Sequence, residues 1–250
     1  MSPIDVSEKS GVRYLHFGSE WIQGAMRVAR PYTLELEYTR EMMLPLLMYP
    51  HDWPKRVLLI GLGTGSLLKF LWRYRPQAQL TVVEIDPRIE AAARQFFKLP
   101  DDPTRIKIRI ADGADFIAVS KQKFDLILVD GFDAKARANR LDSVPFYLNC
   151  KSHLADEGML CVNLLSRRRD YVASKKRLVE AFDGHAIVFP SNDAGNAISL
   201  ATNGGVSPAP TGEELADAAR TLRQGTGLNL LPQLSRIASA GCFTGGVLRI

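Results

Sequence analysis

Between Lys55 and Asp130 the chain alternates short apolar runs with amphipathic stretches, and this alternation limits the possible folds more than any other feature of the sequence. KRVLLIGLG, LTVVEID, RIKIRIAD and FDLILVD have the length and apolar content of strands, while SLLKFLWRY and RIEAAARQFF lie between them with helical spacing. Strands separated by helix-length segments require right-handed crossovers, so the expected core is a mostly parallel sheet with helices on both faces. SVPFYLNCKSHL and SKKRLVEAF continue the pattern as helices, and GMLCVNLLS, HAIVFP and NAISLAT as strands. The expected layout is a short β-rich region over 1–45, the α/β domain over 46–205, and a linker with a helical tail over 206–250. YTREMMLPLLMY predicts a helix with Pro45 near its middle or marking a break. Thr211 is a capping candidate for the tail helix GEELADAARTLRQ.

Ligands on parallel sheets bind at the carboxyl ends of the strands, and four successive ends here carry chemistry. The first is Gly61-Leu62-Gly63-Thr64-Gly65-Ser66, where glycines allow backbone to approach a ligand. Ser66 breaks the G-x-G-x-x-G dinucleotide fingerprint, so a simple tight turn and a nucleoside cradle remain the two readings. About twenty residues further on, the second strand ends at Glu84, placed to accept hydrogen bonds from ribose hydroxyls. Asp86 is expected to cap the helix that begins at Pro87. The third ends in Asp112-Gly113, a carboxylate and an exposed amide suited to the edge of an adenine ring. The fourth ends in Asp130-Gly131-Phe132-Asp133. Three such ends in succession predict an adenosine pocket.

Asp130-Gly131-Phe132-Asp133 also resembles the Asp-Ser-x-Asp gate segment of the spermidine synthases, the polyamine aminopropyltransferase family, with Phe146-Tyr147 following at a compatible distance. RVLLIGLGTG, VVEIDP and IADGADF resemble that family's glycine, ribose and adenine motifs. Trp21-Ile22-Gln23 and LEYTREMM resemble its amino-terminal β region and its Tyr-His-Glu helix start, so the likeness spans roughly residues 11 to 205. It implies a Rossmann-like fold of the class I S-adenosylmethionine methyltransferase type, and aminopropyl transfer from decarboxylated S-adenosylmethionine to a small-molecule amine. It further implies Asp130 as general base and Asp133 as a second acid that holds the amine. Gln23, Gly61, Gly63, Thr64, Gly65, Glu84, Asp112 and Gly113 would contact the donor, and Tyr38 and Thr39 the acceptor. Family members commonly pair through the amino-terminal β region, so a homodimer is an expectation of the same kind.

Three departures bear on the substrates. Thr64 stands where spermidine synthases carry an aspartate that holds the donor's cationic end. A neutral hydroxyl there gives up a charge-assisted bond and also the repulsion that would exclude intact S-adenosylmethionine. Thr39 stands in place of the Tyr-His-Glu histidine. After Asp133 the loop reads Ala134-Lys135-Ala136-Arg137-Ala138-Asn139-Arg140, adding three cations beside a site for a diamine. The expectation is an acceptor that carries a negative group, or an activity other than spermidine synthesis; a solvated loop is the alternative. Two other functions stay open: an S-adenosylmethionine-dependent methyltransferase, and a nucleoside-binding protein without catalysis. Leu59, two residues before the first glycine where methyltransferases usually carry an acid, speaks against the methyltransferase.

A net charge of +5 does not demand an anionic partner. The cluster Arg167, Arg168, Arg169, Lys175, Lys176 and Arg177 reads as a solvated helix face, and nucleic acid is not an expected partner. Three cysteines without a Cys-x-x-Cys pair are expected to be reduced, at least two of them buried, and the four scattered histidines suggest no metal site. No window reaches the roughly 18 apolar residues of a membrane span and no signal-peptide pattern opens the chain, so a cytoplasmic protein is expected.

Overall fold

The computed structural model describes residues 3–18, 22–133, 136–192 and 195–250. Strands β1 (Asp5–Lys9), β2 (Val12–His16) and β3 (Ile22–Arg27) form an antiparallel sheet in that order. Helix α1 (Glu37–Glu41) follows, then a separate 3-10 turn over Leu44–Leu47. The helix expected over YTREMMLPLLMY is therefore two pieces, with Pro45 in the first turn of the second, where a missing N–H costs nothing.

The main sheet is built from β4 (Arg56–Ile60), α2 (Ser66–Tyr74), β5 (Gln79–Glu84), α3 (Pro87–Phe96), β6 (Ile106–Ile110), α4 (Gly113–Val119), β7 (Phe124–Val129), α5 (Val144–Ser152), β8 (Leu154–Leu165), α6 (Tyr171–Ala181), β9 (Ala186–Pro190) and β10 (Asn196–Thr202). Its seven strands lie in the order β6-β5-β4-β7-β8-β10-β9. Pairs from β6 across to β8 are parallel, and β10 is antiparallel to both neighbours. This is the mostly parallel sheet that the sequence pattern predicted, in the Rossmann-like, methyltransferase-type form that the resemblance implies. The chain order reverses between β4 and β7, which opens a crevice at their carboxyl ends.

The unbroken apolar runs follow from burial on both faces. Val57 and Leu59 of β4, with Leu126 and Leu128 of β7, point into a cluster shared with Phe70 and Leu71 of α2 and Ile89 and Ala93 of α3. Leu58, Ile60, Ile127 and Val129 point the other way, against Ile117, Phe146, Tyr147 and Leu178 of the helices α4, α5 and α6. Truncating any of these leucines to alanine would cost about 2–5 kcal/mol.

The last 45 residues hold more structure than a linker and one helix. They form α7 (Gly212–Thr226), α8 (Leu231–Ser239) and a small hairpin of β11 (Phe243–Thr244) and β12 (Val247–Leu248). Thr211 caps α7 reciprocally with Glu214, as its position predicted. Leu215, Leu222, Leu234 and Ile237 bury into the same cluster as Val57 and Phe70, so this segment completes one face of the sheet. Cys150 and Cys161 are buried and all three cysteines are free thiols. Among the described residues no helix is long and apolar enough to cross a membrane.

Candidate active site

A cavity of about 670 Å³ opens at the carboxyl ends of β4 to β8, on the β4–β7 switch point. Its shape depends on Gly61, which has φ +97° and whose missing Cβ would sit 2.2 Å from the carbonyl oxygen of Asp130. Any side chain there would push apart the two strand ends on which the site is built.

At one end the walls are Gly61 to Gly63, Glu84 and Asp112-Gly113. Glu84, the last residue of β5, is 8% exposed. Its Oε2 accepts from the Leu62 amide at 2.9 Å and its Oε1 from the Asp86 amide at 3.0 Å. Burial pushes its pKa up against the pull of those amides. The carboxylate is thereby fixed in place, and its remaining lone pairs are suited to a diol. Asp86 caps α3 by accepting from the Arg88 amide, as expected. Asp112 caps α4, with Oδ1 taking the Ala114 amide at 2.7 Å and the Asp115 amide at 3.1 Å, while Arg140 approaches its Oδ2 at 3.4 Å.

At the other end Asp130 follows β7, half-buried, with both carboxylate oxygens held. The Tyr38 hydroxyl donates to Oδ2 at 3.1 Å and the Asn163 amide to Oδ1 at 2.9 Å. Burial raises the Asp130 pKa, and the bonds from Asn163 and Tyr38 offset it only in part. A carboxylate in this state is a stronger base than one in water. Asn163 is 4% exposed, and its Oδ1 is buried without a hydrogen-bond partner among the described residues.

Tyr38 is itself braced from the far end of the chain. It sits on α1 between Glu37, which accepts from Gln233 Nε2 at 2.6 Å, and the fully buried Glu41, which pairs with Arg236 and takes the Asn192 amide at 3.1 Å. Helix α8 thus sets the position of the residue that bonds Asp130.

Of the residues singled out from sequence, Gln23, Tyr38, Gly61, Gly63 and Glu84 line the cavity, as do Asp112, Gly113, Asp130 and Asp133. Thr39, Thr64 and Gly65 do not. The Thr39 hydroxyl donates to the Leu36 carbonyl at 2.6 Å, and the Thr64 and Ser66 hydroxyls bond each other at 2.8 Å. Thr64 lies directly beneath Gly24, whose missing Cβ would fall 2.6 Å from Thr64 Cγ2. Both threonines border only a side cavity of about 20 Å³. Gly65 serves as the left-handed N-cap of α2. Trp21, Ala134 and Lys135 lie outside the described residues.

Asp133 is committed within its own loop. Its carboxylate takes Arg137 Nη2 at 2.7 Å, the Arg137 amide at 3.0 Å and Asn139 Nδ2 at 3.1 Å. The basic cluster also differs from the sequence reading. Arg167 and Arg168 belong to the segment leaving β8, before α6 begins, and both line the cavity instead of a helix face. Arg168 pairs with Asp170 at 2.8 Å and donates to the Ala136 carbonyl at 3.0 Å, while Arg177 pairs with Asp142. Phe146 and Tyr147 pack in the core away from the cavity. Asn163 escaped the sequence reading, although an asparagine inside the apolar run GMLCVNLLS is the kind of buried polar exception that marks a site.

Comparison with known proteins identifies the family. The family model described as the spermine/spermidine synthase domain matches residues 36–168. A polyamine aminopropyltransferase of Chromobacterium violaceum is 38% identical over 201 residues, which is 80% of this chain and 76% of that protein. A spermidine synthase solved in complex with the transition state analogue AdoDATO aligns with a TM-score of 0.71 at 20% identity, over 94% of this chain and 85% of its own. Human methyltransferase-like protein 13, solved with SAH, aligns with a TM-score of 0.67 at 24% identity over 77% of this chain and 93% of its own. At those identities the two structures speak for the fold alone; the sequence matches show that the chain belongs to the spermine/spermidine synthase family.

Proposed function

We propose that this protein transfers an aminopropyl group from decarboxylated S-adenosylmethionine to a small-molecule amine, with Asp130 as the general base. The observation that carries this reading is the Asp130 carboxylate, held at both oxygens by Tyr38 and Asn163 in the same cavity as Glu84. The nucleoside of the donor would lie across the Gly61 turn, its ribose on Glu84 and its adenine edge at Asp112-Gly113. Gln23 of β3 would stand near the donor sulfur.

An alkylammonium has a pKa of about 10.4 and only its neutral form is a nucleophile, so the amine must lose a proton to react. Asp130, with its pKa raised by burial, narrows the gap that this proton must cross. As the amine lone pair forms the new C–N bond, the C–S bond breaks and its electron pair returns to sulfur. The products are neutral methylthioadenosine and a lengthened amine, and the proton passes through Asp130 to solvent. The sulfonium brings its own activation, so the protein has only to supply alignment and a base. The test is amine-dependent release of methylthioadenosine by the purified protein supplied with the decarboxylated donor.

A further inference from the structure

On the reading above, one end of the cavity takes the acceptor amine, and a second polar feature of that end says what else the acceptor carries. A diamine brings a second ammonium, which needs a carboxylate in the wall. On that reading Glu84 and Asp112 serve the nucleoside, Asp133 is taken by the Arg137 side chain and Asn139, and Asp130 is the base. Among the cations the reverse holds at one position. Arg137, Arg140 and Arg168 are paired with Asp133, Asp115 and Asp170. Arg167 lines the cavity at its exposed rim and forms no ion pair or hydrogen bond through its side chain among the described residues.

The placement of Arg167 follows from β8. Asn163, which touches Asp130, and Leu165 lie two residues apart on that strand and both border the cavity; Arg167 comes two residues later. Arg167 and Asp130 therefore border one cavity, and a molecule whose amine is at Asp130 shares that cavity with the guanidinium. Gly195 leaves room beside it, since a Cβ there would come within 3.2 Å of Arg167 Cδ and Nε. An unpaired guanidinium in the same cavity favours a carboxylate and disfavours a second ammonium.

We infer that the acceptor is an amine bearing a carboxylate, an amino acid rather than a plain diamine, with Arg167 as its specificity-determining contact. The experiment compares matched probes, ornithine against putrescine and 4-aminobutyrate against butylamine, as acceptors with decarboxylated S-adenosylmethionine. The expected result is at least a tenfold higher kcat/KM for the carboxylated member of each pair, with the ratio falling at least tenfold in Arg167→Ala and reversing in Arg167→Glu. Preference for putrescine in the parent protein, or a ratio that Arg167→Ala leaves unchanged, would overturn the inference. Calorimetric binding of ornithine to the protein loaded with methylthioadenosine separates this from the catalytic reading. If no amine is turned over, ornithine binding that is lost in Arg167→Ala still supports the anionic contact while aminopropyl transfer fails; absence of that binding overturns the contact as well.

Discussion

The Glu84 end and the Asp130 end of the cavity differ in what holds them. At the Glu84 end the polar groups come from strand ends that follow one another along the chain, and each carboxylate is fixed by backbone amides a few residues away or one strand over. At the Asp130 end side chains hold side chains across long stretches of sequence: Tyr38 from α1, Asn163 from β8, and behind α1 the tail residues Gln233 and Arg236. Backbone amides come with the fold and tolerate change in the side chains around them. Side-chain lattices can be rebuilt one residue at a time. On the proposed function, with the nucleoside at the first end and the acceptor at the second, a shared donor site stands beside a changeable acceptor site.

Substitutions at the two ends should therefore separate donor binding from acceptor chemistry. The largest effect is expected for Asp130→Asn, with turnover falling about 10²- to 10⁴-fold while methylthioadenosine binds as before. Stability should not suffer. Because the folded-state pKa of Asp130 is raised, the native protein binds its proton more tightly than the unfolded chain does, so ionisation costs stability once the pH exceeds the ordinary carboxylate range. The asparagine escapes that cost, and its melting temperature at neutral pH should equal or exceed the parent's. A loss of methylthioadenosine binding in the same variant would break the separation of the two ends.

Next in size is Glu84→Gln, which keeps the shape but exchanges a charged acceptor for a neutral amide. Methylthioadenosine affinity should weaken roughly tenfold or more by calorimetry, with the KM for the amine little changed. The smallest effect is expected for Tyr38→Phe. The Tyr38 bond favours the ionised form of Asp130, so removing it raises the Asp130 pKa further. The acid limb of the kcat/KM profile should then move to higher pH, with a modest loss at the optimum. An unchanged limb would mean that Asp130 is not the group whose ionisation governs the rate.

The same difference explains what could be read from the sequence. Gly61, Glu84, Asp86 and Asp112 sit at the ends of periodic strands, where local pattern and turn chemistry agree, and the structure places each at the predicted strand or helix end. Asp130 and Asp133 were legible through the spacing of their motif, yet the pairing of Asp133 with Arg137 depends on how the loop closes on itself. Arg167 and Arg168 read as a helix face because the sequence does not show where β8 ends relative to α6. The brace from Arg236 to Glu41 joins residues almost two hundred positions apart, and no local pattern reports it. Helix α8 was missed for a related reason: its nine residues include Pro232 in the first turn, and its apolar face has meaning only against the rest of the core.

Aminopropyl transfer is tested most directly by chromatographic measurement of methylthioadenosine formed from decarboxylated S-adenosylmethionine by the purified protein, with and without an acceptor panel of diamines and amino acids. The expected result is methylthioadenosine that appears only with an acceptor and in equal amount to a product enlarged by one aminopropyl group. No methylthioadenosine with any acceptor, together with a methylated product from intact S-adenosylmethionine, would contradict it.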